Sequence, residues 1–521
     1  MSNRMRAGLG ITLAVCLGVT MTGCSDTSSD KSGAEPTTVK APTSTTVRFD
    51  PSKVGAVTVS GPITTGNGKI NVAGGKVDLA SVGYTEAEYF IAGTATSYTS
   101  DTPLTSDGAW TVRKDATAPY TTRIVVRRPT SGKDFSGNVV VEWLNVSGGL
   151  DAAPDWTMAH VELIRKGWAW VGVSAQSVGV VGGSGAVGAA FALKLNDPVR
   201  YGPLEHPGDS FSYDMFSQAG AAVRTQFDTV LGGSEPERVL AIGESQSAFR
   251  LTTYVNAVAP VARVFDGYLI HSRGDSGAPL AEAPQAKVPA PESTLMRTDL
   301  GAPVMVVESE TDVMGDRLGY VRARQPDAEW FRAWEMAGTA HADAYSLGIG
   351  DTDDGSGAGD AALFAAMSAP PSKVYGGVIS CDSPINSGPQ TYVIRAAVRT
   401  METWMSDGNP PPKMPRLELN DSETEYVVDA NGNATGGVRT PQVNAPIAKL
   451  SGLGQTGTSF CGLFGTTVPF DATALVAAYP DHATFVKAWN AAIAKAVRAK
   501  ALVEEDAERL RSLAASSTIG G

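Results

Sequence analysis

Histidine and cysteine are scarce in this chain. Five histidines and four cysteines among 521 residues give a metal centre little to work with, and none of them falls with carboxylates at ligand spacing. Charge is scarce as well. Only 18% of residues are Asp, Glu, Lys or Arg, the net charge is −12, and no basic run offers itself to nucleic acid or another polyanion. The apolar run at residues 9–21 is too short for a preferred membrane span. The Gly-rich stretch at residues 182–185 has neither a lysine nor G-x-G-x-x-G spacing, so it is no phosphate cradle, and no cofactor is expected. What is abundant is apolar residues, at 42%, together with 57 glycines and 31 prolines. That is a globular composition with many turns and long loops, long enough for one large α/β domain with insertions or for two to three domains.

The N-terminus reads as an address. Arg4 and Arg6 precede the apolar run, and Thr22-Gly23-Cys24 follows it. This resembles a bacterial lipoprotein signal, in which the cysteine is diacylated and becomes the mature N-terminus. The expectation is a signal peptide over residues 1–23, lipid on Cys24, and a disordered Ser/Thr/Pro-rich tether over residues 24–46. A plain secretory signal cleaved nearby is the alternative. Either way the protein would leave the cytoplasm, for the cell envelope or the medium, and its membrane contact would be the lipid anchor. Cys16 lies in the signal, so Cys381 and Cys461 remain as an even pair in an oxidising compartment and are expected to be joined.

The stretch that organises the rest is residues 238–250. A short apolar run, Val239 to Ile242, stops at Gly243, and helix-compatible residues start at Ala248. Ser245 sits at the apex of a strand, sharp turn and helix, in the pattern G-x-S-x-S. Small residues two before and two after the serine let the backbone turn tightly enough to expose its hydroxyl, as in a nucleophile elbow. Taken alone, the pattern also fits an ordinary strand-to-helix turn.

Its surroundings support the elbow. Residues 69–77, 89–98 and 109–112 read as short strands of an antiparallel start, followed by a clearer strand at 120–128. An apolar strand at 138–146 runs into a Gly-rich loop, where Asn145, Ser147, Gly148 and Gly149 could offer N–H groups to a developing oxyanion beside that of Gln246. Helices are expected at 156–166 and 215–230, and strands at 168–174, 265–270, 303–307 and 329–336. Residues 176–190 are expected to be a mobile loop over the site, and 278–302 a long irregular flap. This alternation predicts a mainly parallel, doubly wound sheet within one domain over 47–521. Its C-terminal extension starts near 406, after a closing helix at 390–405, and ends in helix over 482–513.

Three chemistries fall just past the carboxyl ends of successive strands, the edge where open α/β sheets build their sites. A serine hydroxyl needs a base, and His341 lies just past the carboxyl end of the strand at 329–336. His160 and His482 fall in helices, His206 precedes the serine, and His271 precedes the acid. For the acid that orients the imidazole, Asp312 has the spacing of a tight turn after its strand, with Glu310 the alternative. Glu244 is expected to point away from the hydroxyl and to pack or pair beneath it.

These residues resemble a family. The segments 243–247, 308–312, 338–343 and 200–211, together with Cys381 and residues 384–386, are similar to the bacterial alpha/beta hydrolase domain family. The resemblance implies an α/β-hydrolase fold and a serine hydrolase, without an established substrate. The expected activity is cleavage of a carboxylic ester, small or lipid-like, through Ser245, His341 and Asp312. An amidase or peptidase with the same triad is one alternative, and a non-catalytic ligand-binding lipoprotein is another.

Overall fold

The structure is a computed structural model that describes residues 49–183, 185, 191–315, 318–458 and 460–521. The expected signal peptide, Cys24 and the tether lie outside the described residues. Nine strands form one sheet: β1 Val57–Ser60, β2 Tyr84–Thr99, β3 Arg113–Pro129, β4 Asn138–Trp143, β5 Ala169–Val173, β6 Arg238–Glu244, β7 Gly267–His271, β8 Val304–Ser309 and β9 Phe331–Met336. Their order across the sheet is β1-β2-β3-β5-β4-β6-β7-β8-β9. The first three strands and β5 pair antiparallel, and from β5 to β9 every neighbour is parallel. The fold is the mostly parallel α/β-hydrolase sheet with long insertions and a C-terminal extension.

The parallel strands are apolar throughout because both faces are covered. Val239 and Ala241 of β6 pack with Phe216, Ala219 and Val223 of helix α2, Ser212–Thr225, and with Ala248 and Leu251 of helix α3, Gln246–Thr253. Leu240 and Ile242 face the other way, toward Trp156 and Leu163 of helix α1, Pro154–Arg165, and toward Val393 and Trp404 of the helix Gln390–Asp407. The period-2 alternation of a strand sends each residue to its own layer. It also puts Glu244 on the same face as Leu240 and Ile242.

Several elements differ from the sequence reading. Residues 69–77 are not a strand and make only an isolated bridge, Ala73 to Ala152. Gly74 and Gly75 adopt positive φ, and the N–H groups of Gly75 and Lys76 donate to Asp351, so the backbone is satisfied without a ladder. Residues 109–112 are irregular, with Trp110 Nε1 donating to Thr105 O, and β3 begins only at Arg113. In the expected loop at 176–190, Ser177–Val181 is a short helix, and 184 and 186–190 are outside the described residues. The irregular stretch 278–302 does not stand free as a flap. Leu280, Thr294 and Met296 are buried, and the Arg273 guanidinium donates to Thr294 O at 2.5 Å. The C-terminal helical region is two helices, His482–Arg498 and Glu504–Ser516, separated by a left-handed residue, Lys500. Among the described residues no helix is long and apolar enough to cross a membrane.

The extension wraps back onto the carboxyl edge of the sheet. Its antiparallel pair Ala448–Ser451 and Thr466–Pro469 lies next to the loop after β9. Ala342 N donates to Leu463 O, and Asn386 Nδ2 donates to both Gly338 O and Ser451 O. Cys381 and Cys461 are joined by a disulfide with a Cα–Cα distance of 5.6 Å, which ties the wrap together.

Candidate active site

β6 ends at Glu244, α3 starts at Gln246, and Ser245 stands between them at φ 57° and ψ −120°. That left-handed conformation is costly for a residue with a side chain, and it is held by the Ser245 N–H bond to His271 O at the end of β7, 3.0 Å. The turn is tight enough that a Cβ at Gly243 would lie 3.2 Å from the Ser247 Cβ. This crowding explains the small residues on either side of the serine.

The carboxylates of β8 and of the short helix after it, Glu310–Met314, point in three different directions. Glu308 is inside the sheet, where burial raises its carboxyl well above the usual range. Glu310 turns toward the C-terminal wrap, accepting Gly338 N at 2.6 Å and Gly452 N at 2.8 Å. Asp312 closes a capping box with Ser309, its Oδ2 accepting Ser309 N at 2.6 Å. The other oxygen of Asp312 lies 2.6 Å from His341 Nδ1, and His341 Nε2 lies 2.8 Å from Ser245 Oγ. The loop after β9 that carries His341 is steadied by Thr311, whose hydroxyl accepts His341 N–H and donates to Gly452 O. The structure therefore brings Ser245, His341 and Asp312 into one hydrogen-bonded series and leaves Glu310 outside it.

Glu244 does not point away. Its Oε1 lies 3.3 Å from His341 Nε2, and its Oε2 accepts from Asn145 Nδ2 at 3.3 Å. Sequence reasoning missed this contact. The strand alternation that sets Glu244 on one face was legible, but the arrival of His341 at that face was not. Burial holds the Glu244 carboxyl up at about 7. Burial works against charge on His341, yet Asp312 and then Glu244 outweigh it and raise the imidazole to about 9. Burial also works against charge on Asp312, but His341 overcomes it and keeps the carboxyl below its usual range.

His271, the other strand-end histidine, is fully buried. Its Nδ1 meets Asp155 Oδ1 at 2.8 Å and its Nε2 meets the Gln390 amide at 3.0 Å, so it belongs to the packing beneath the site. His160 is likewise buried, between Trp156 O, Thr157 O and Asp353 O.

The Gly-rich loop after β4 differs from expectation as an oxyanion donor. The N–H groups of Asn145, Ser147 and Gly149 donate to Ala152 O, Asn145 Oδ1 and Val146 O, because the loop closes on itself. Among the described residues this leaves Gly148 as the loop candidate. The Gln246 N–H, at the first position of α3, lies outside the helix ladder as every first-turn donor does. The Asn145 side chain instead ties the loop to the elbow, donating to Glu244 O at 3.2 Å.

A parallel sheet with a serine on the strand-to-helix elbow, and a carboxylate and a histidine past later strands, defines the α/β-hydrolase class of fold. The chain matches the family described as "Alpha/beta hydrolase domain" over residues 59–512, and it belongs to that family. Among solved structures it is similar to the glucuronoyl esterase from Solibacter usitatus, at 10% identity and a TM-score of 0.27, covering 58% of this chain and 83% of that one. It is similar to XC6422 from Xanthomonas campestris, described as a serine hydrolase without a lid, at 13% identity and a TM-score of 0.25, over 48% and 85% of the two chains. It is also similar to an esterase from Rhizomucor miehei, at 11% identity and a TM-score of 0.23, over 47% and 74%. No curated protein matches the sequence.

Proposed function

We propose that this protein is a serine hydrolase that cleaves a carboxylic ester through Ser245, His341 and Asp312. The observation that carries the reading is the unbroken series Asp312 Oδ1, His341 Nδ1, His341 Nε2 and Ser245 Oγ at 2.6 and 2.8 Å, ending on a serine at a strained elbow. In this reaction the Ser245 oxygen bonds to the ester carbonyl carbon as its proton passes to His341 Nε2. The carbonyl electron pair moves onto oxygen, where the N–H groups of Gln246 and Gly148 stabilise it. When the intermediate collapses, the carbon–oxygen bond to the alcohol breaks and His341 returns the proton to that oxygen. Water repeats the sequence on the acyl-serine. Asp312 keeps the imidazole in the tautomer that presents a lone pair to the serine. The ester preference is tested by offering matched ester and amide substrates of the same acyl group. Ester turnover alone supports it, and equal or faster amide turnover overturns it.

For location, the Arg4/Arg6 n-region and Cys24 support a secreted chain lipidated on Cys24, with the hydrolase held at the membrane by a tether. In detergent phase separation the wild type should follow the detergent, and Cys24→Ala should move to the aqueous phase. Wild-type protein that stays aqueous contradicts the anchor.

A further inference from the structure

The nitrogen of His341 that faces the serine has a second neighbour. Glu244 Oε1 lies 3.3 Å from Nε2, on a side chain that is 10% exposed. One amide touches Glu244 at both its carboxylate and its backbone carbonyl. Asn145 Nδ2 donates to Glu244 Oε2 at 3.3 Å and to Glu244 O at 3.2 Å. Burying a carboxylate is expensive unless a cation answers it. Among the described residues no lysine or arginine forms an ion pair with Glu244, and its ion-pair partner is His341. The groups that face it come from four elements: His271 from β7, Asp155 from the start of the helix Pro154–Arg165, Asp312 after β8, and His341 after β9. Burial lowers the His271 imidazole although Glu244, Asp312 and Asp343 favour its charge, and its Nδ1 meets Asp155 Oδ1 at 2.8 Å. The cation left for Glu244 is therefore the imidazolium of His341.

We propose that Glu244 is a positioning residue for His341, a second carboxylate that steers Nε2 toward Ser245 and stabilises the imidazolium formed as the serine attacks. This rests on the serine-hydrolase reading. Asp312 hydrogen-bonds one ring nitrogen, and Glu244 stands within ion-pair range of the other beside Ser245. Charge on the imidazole and charge on Glu244 favour each other. At the moment of attack the Nε2 proton comes from Ser245 Oγ. It stays on Nε2, shared between the serine oxygen and Glu244 Oε1, until the leaving alcohol takes it.

Glu244→Gln keeps the shape and removes the charge. Two readouts separate its effects. The first is the ¹⁵N titration of His341 in protein labelled at histidine, assigned with His341→Ala, and it needs no turnover. The second is the pH profile of kcat/KM on a p-nitrophenyl ester. In Glu244→Gln the His341 titration should fall by about one pH unit, the size expected when an opposite charge within contact range is removed. The acid limb of kcat/KM should move down with it, and kcat on the plateau should drop about tenfold with KM within about twofold, the pattern of an interaction made chiefly in the transition state. Glu244→Asp, whose shorter side chain keeps the charge farther away, should titrate between the two. Profiles of Glu244→Gln and Glu244→Asp that superimpose on wild type, in protein that melts normally, overturn the proposal. If the glutamine variant does not fold, Glu244→Asp and the wild type decide it. A wild-type imidazole titrating at or below 6.5, or an aspartate variant with no shift, overturns it. A wild type that shows the coupling but hydrolyses no ester overturns the hydrolase reading instead.

Discussion

His341 Nε2 lies 2.8 Å from Ser245 Oγ, although 96 residues separate them in the chain. The sheet makes this meeting. β6 and β9 are separated by β7 and β8, and the parallel register brings all four strand ends to one edge.

Asp312 and Glu310 separate function from support. Asp312→Asn should lower kcat by about 10³- to 10⁴-fold with a nearly normal melt, because the amide presents the wrong partner to Nδ1. Glu310→Gln should do the reverse. It leaves one of two buried N–H groups, Gly338 or Gly452, facing an amide NH₂, at a cost of about 1–3 kcal/mol, while kcat changes far less. Steady-state kinetics and thermal melts on both variants check this. A Glu310→Gln enzyme as inactive as Asp312→Asn would exchange their roles.

The buried carboxyls set a pH dependence of stability. Glu244, Glu310 and Asp343 are each raised by burial to about 7, from 4.5, 4.5 and 3.8. A folded-state value above the unfolded one means stability that is complete at low pH and is lost as pH rises through the folded value. His341, raised to about 9 from 6.5, adds loss in the same direction at higher pH. Melting temperature should therefore fall from about pH 5 to pH 9. Glu310→Gln should flatten the part between pH 5 and 7, which a scanning-fluorimetry series would reveal.

The disulfide should matter to both fold and site. It joins residues 80 apart and supports the wrap that contacts the His341 loop. Cys381→Ser with Cys461→Ser, or reduction of the wild type, should cost about 2–4 kcal/mol of stability. Activity should be lost at temperatures where the oxidised protein keeps it. Melts and assays with and without reductant check this, and superimposable curves would remove the disulfide from the account.

The elbow should be intolerant of added bulk. Gly243→Ala puts a methyl 3.2 Å from the Ser247 Cβ and should destabilise by about 1–3 kcal/mol, whereas Ser247→Gly should be tolerated within about 1 kcal/mol. Chemical denaturation of the two variants would show the order.

Local pattern made much of this legible. The apolar run Val239 to Ile242 ending in Gly243 and Ser245 read as β6 and its turn because strand, glycine and helix signals lie within a dozen residues. Spacing after the strand favoured Asp312 but left Glu310 as an alternative. What turns Glu310 away from the histidine is Gly452, 142 residues later, and no spacing within the β8 segment announces it. Residues 69–77 misled for the same reason, since Gly75 finds its acceptor in Asp351, 276 residues distant. The contact between Glu244 and His341 also depends on how two distant loops settle on one edge.

The most direct test is covalent. Purified wild-type protein is treated with a fluorophosphonate probe, digested, and the modified peptide sequenced by mass spectrometry. A single adduct on Ser245, abolished in Ser245→Ala and strongly slowed in His341→Ala, is the expected result. An unlabelled wild type, or a Ser245→Ala protein that labels and hydrolyses esters as before, would contradict the account.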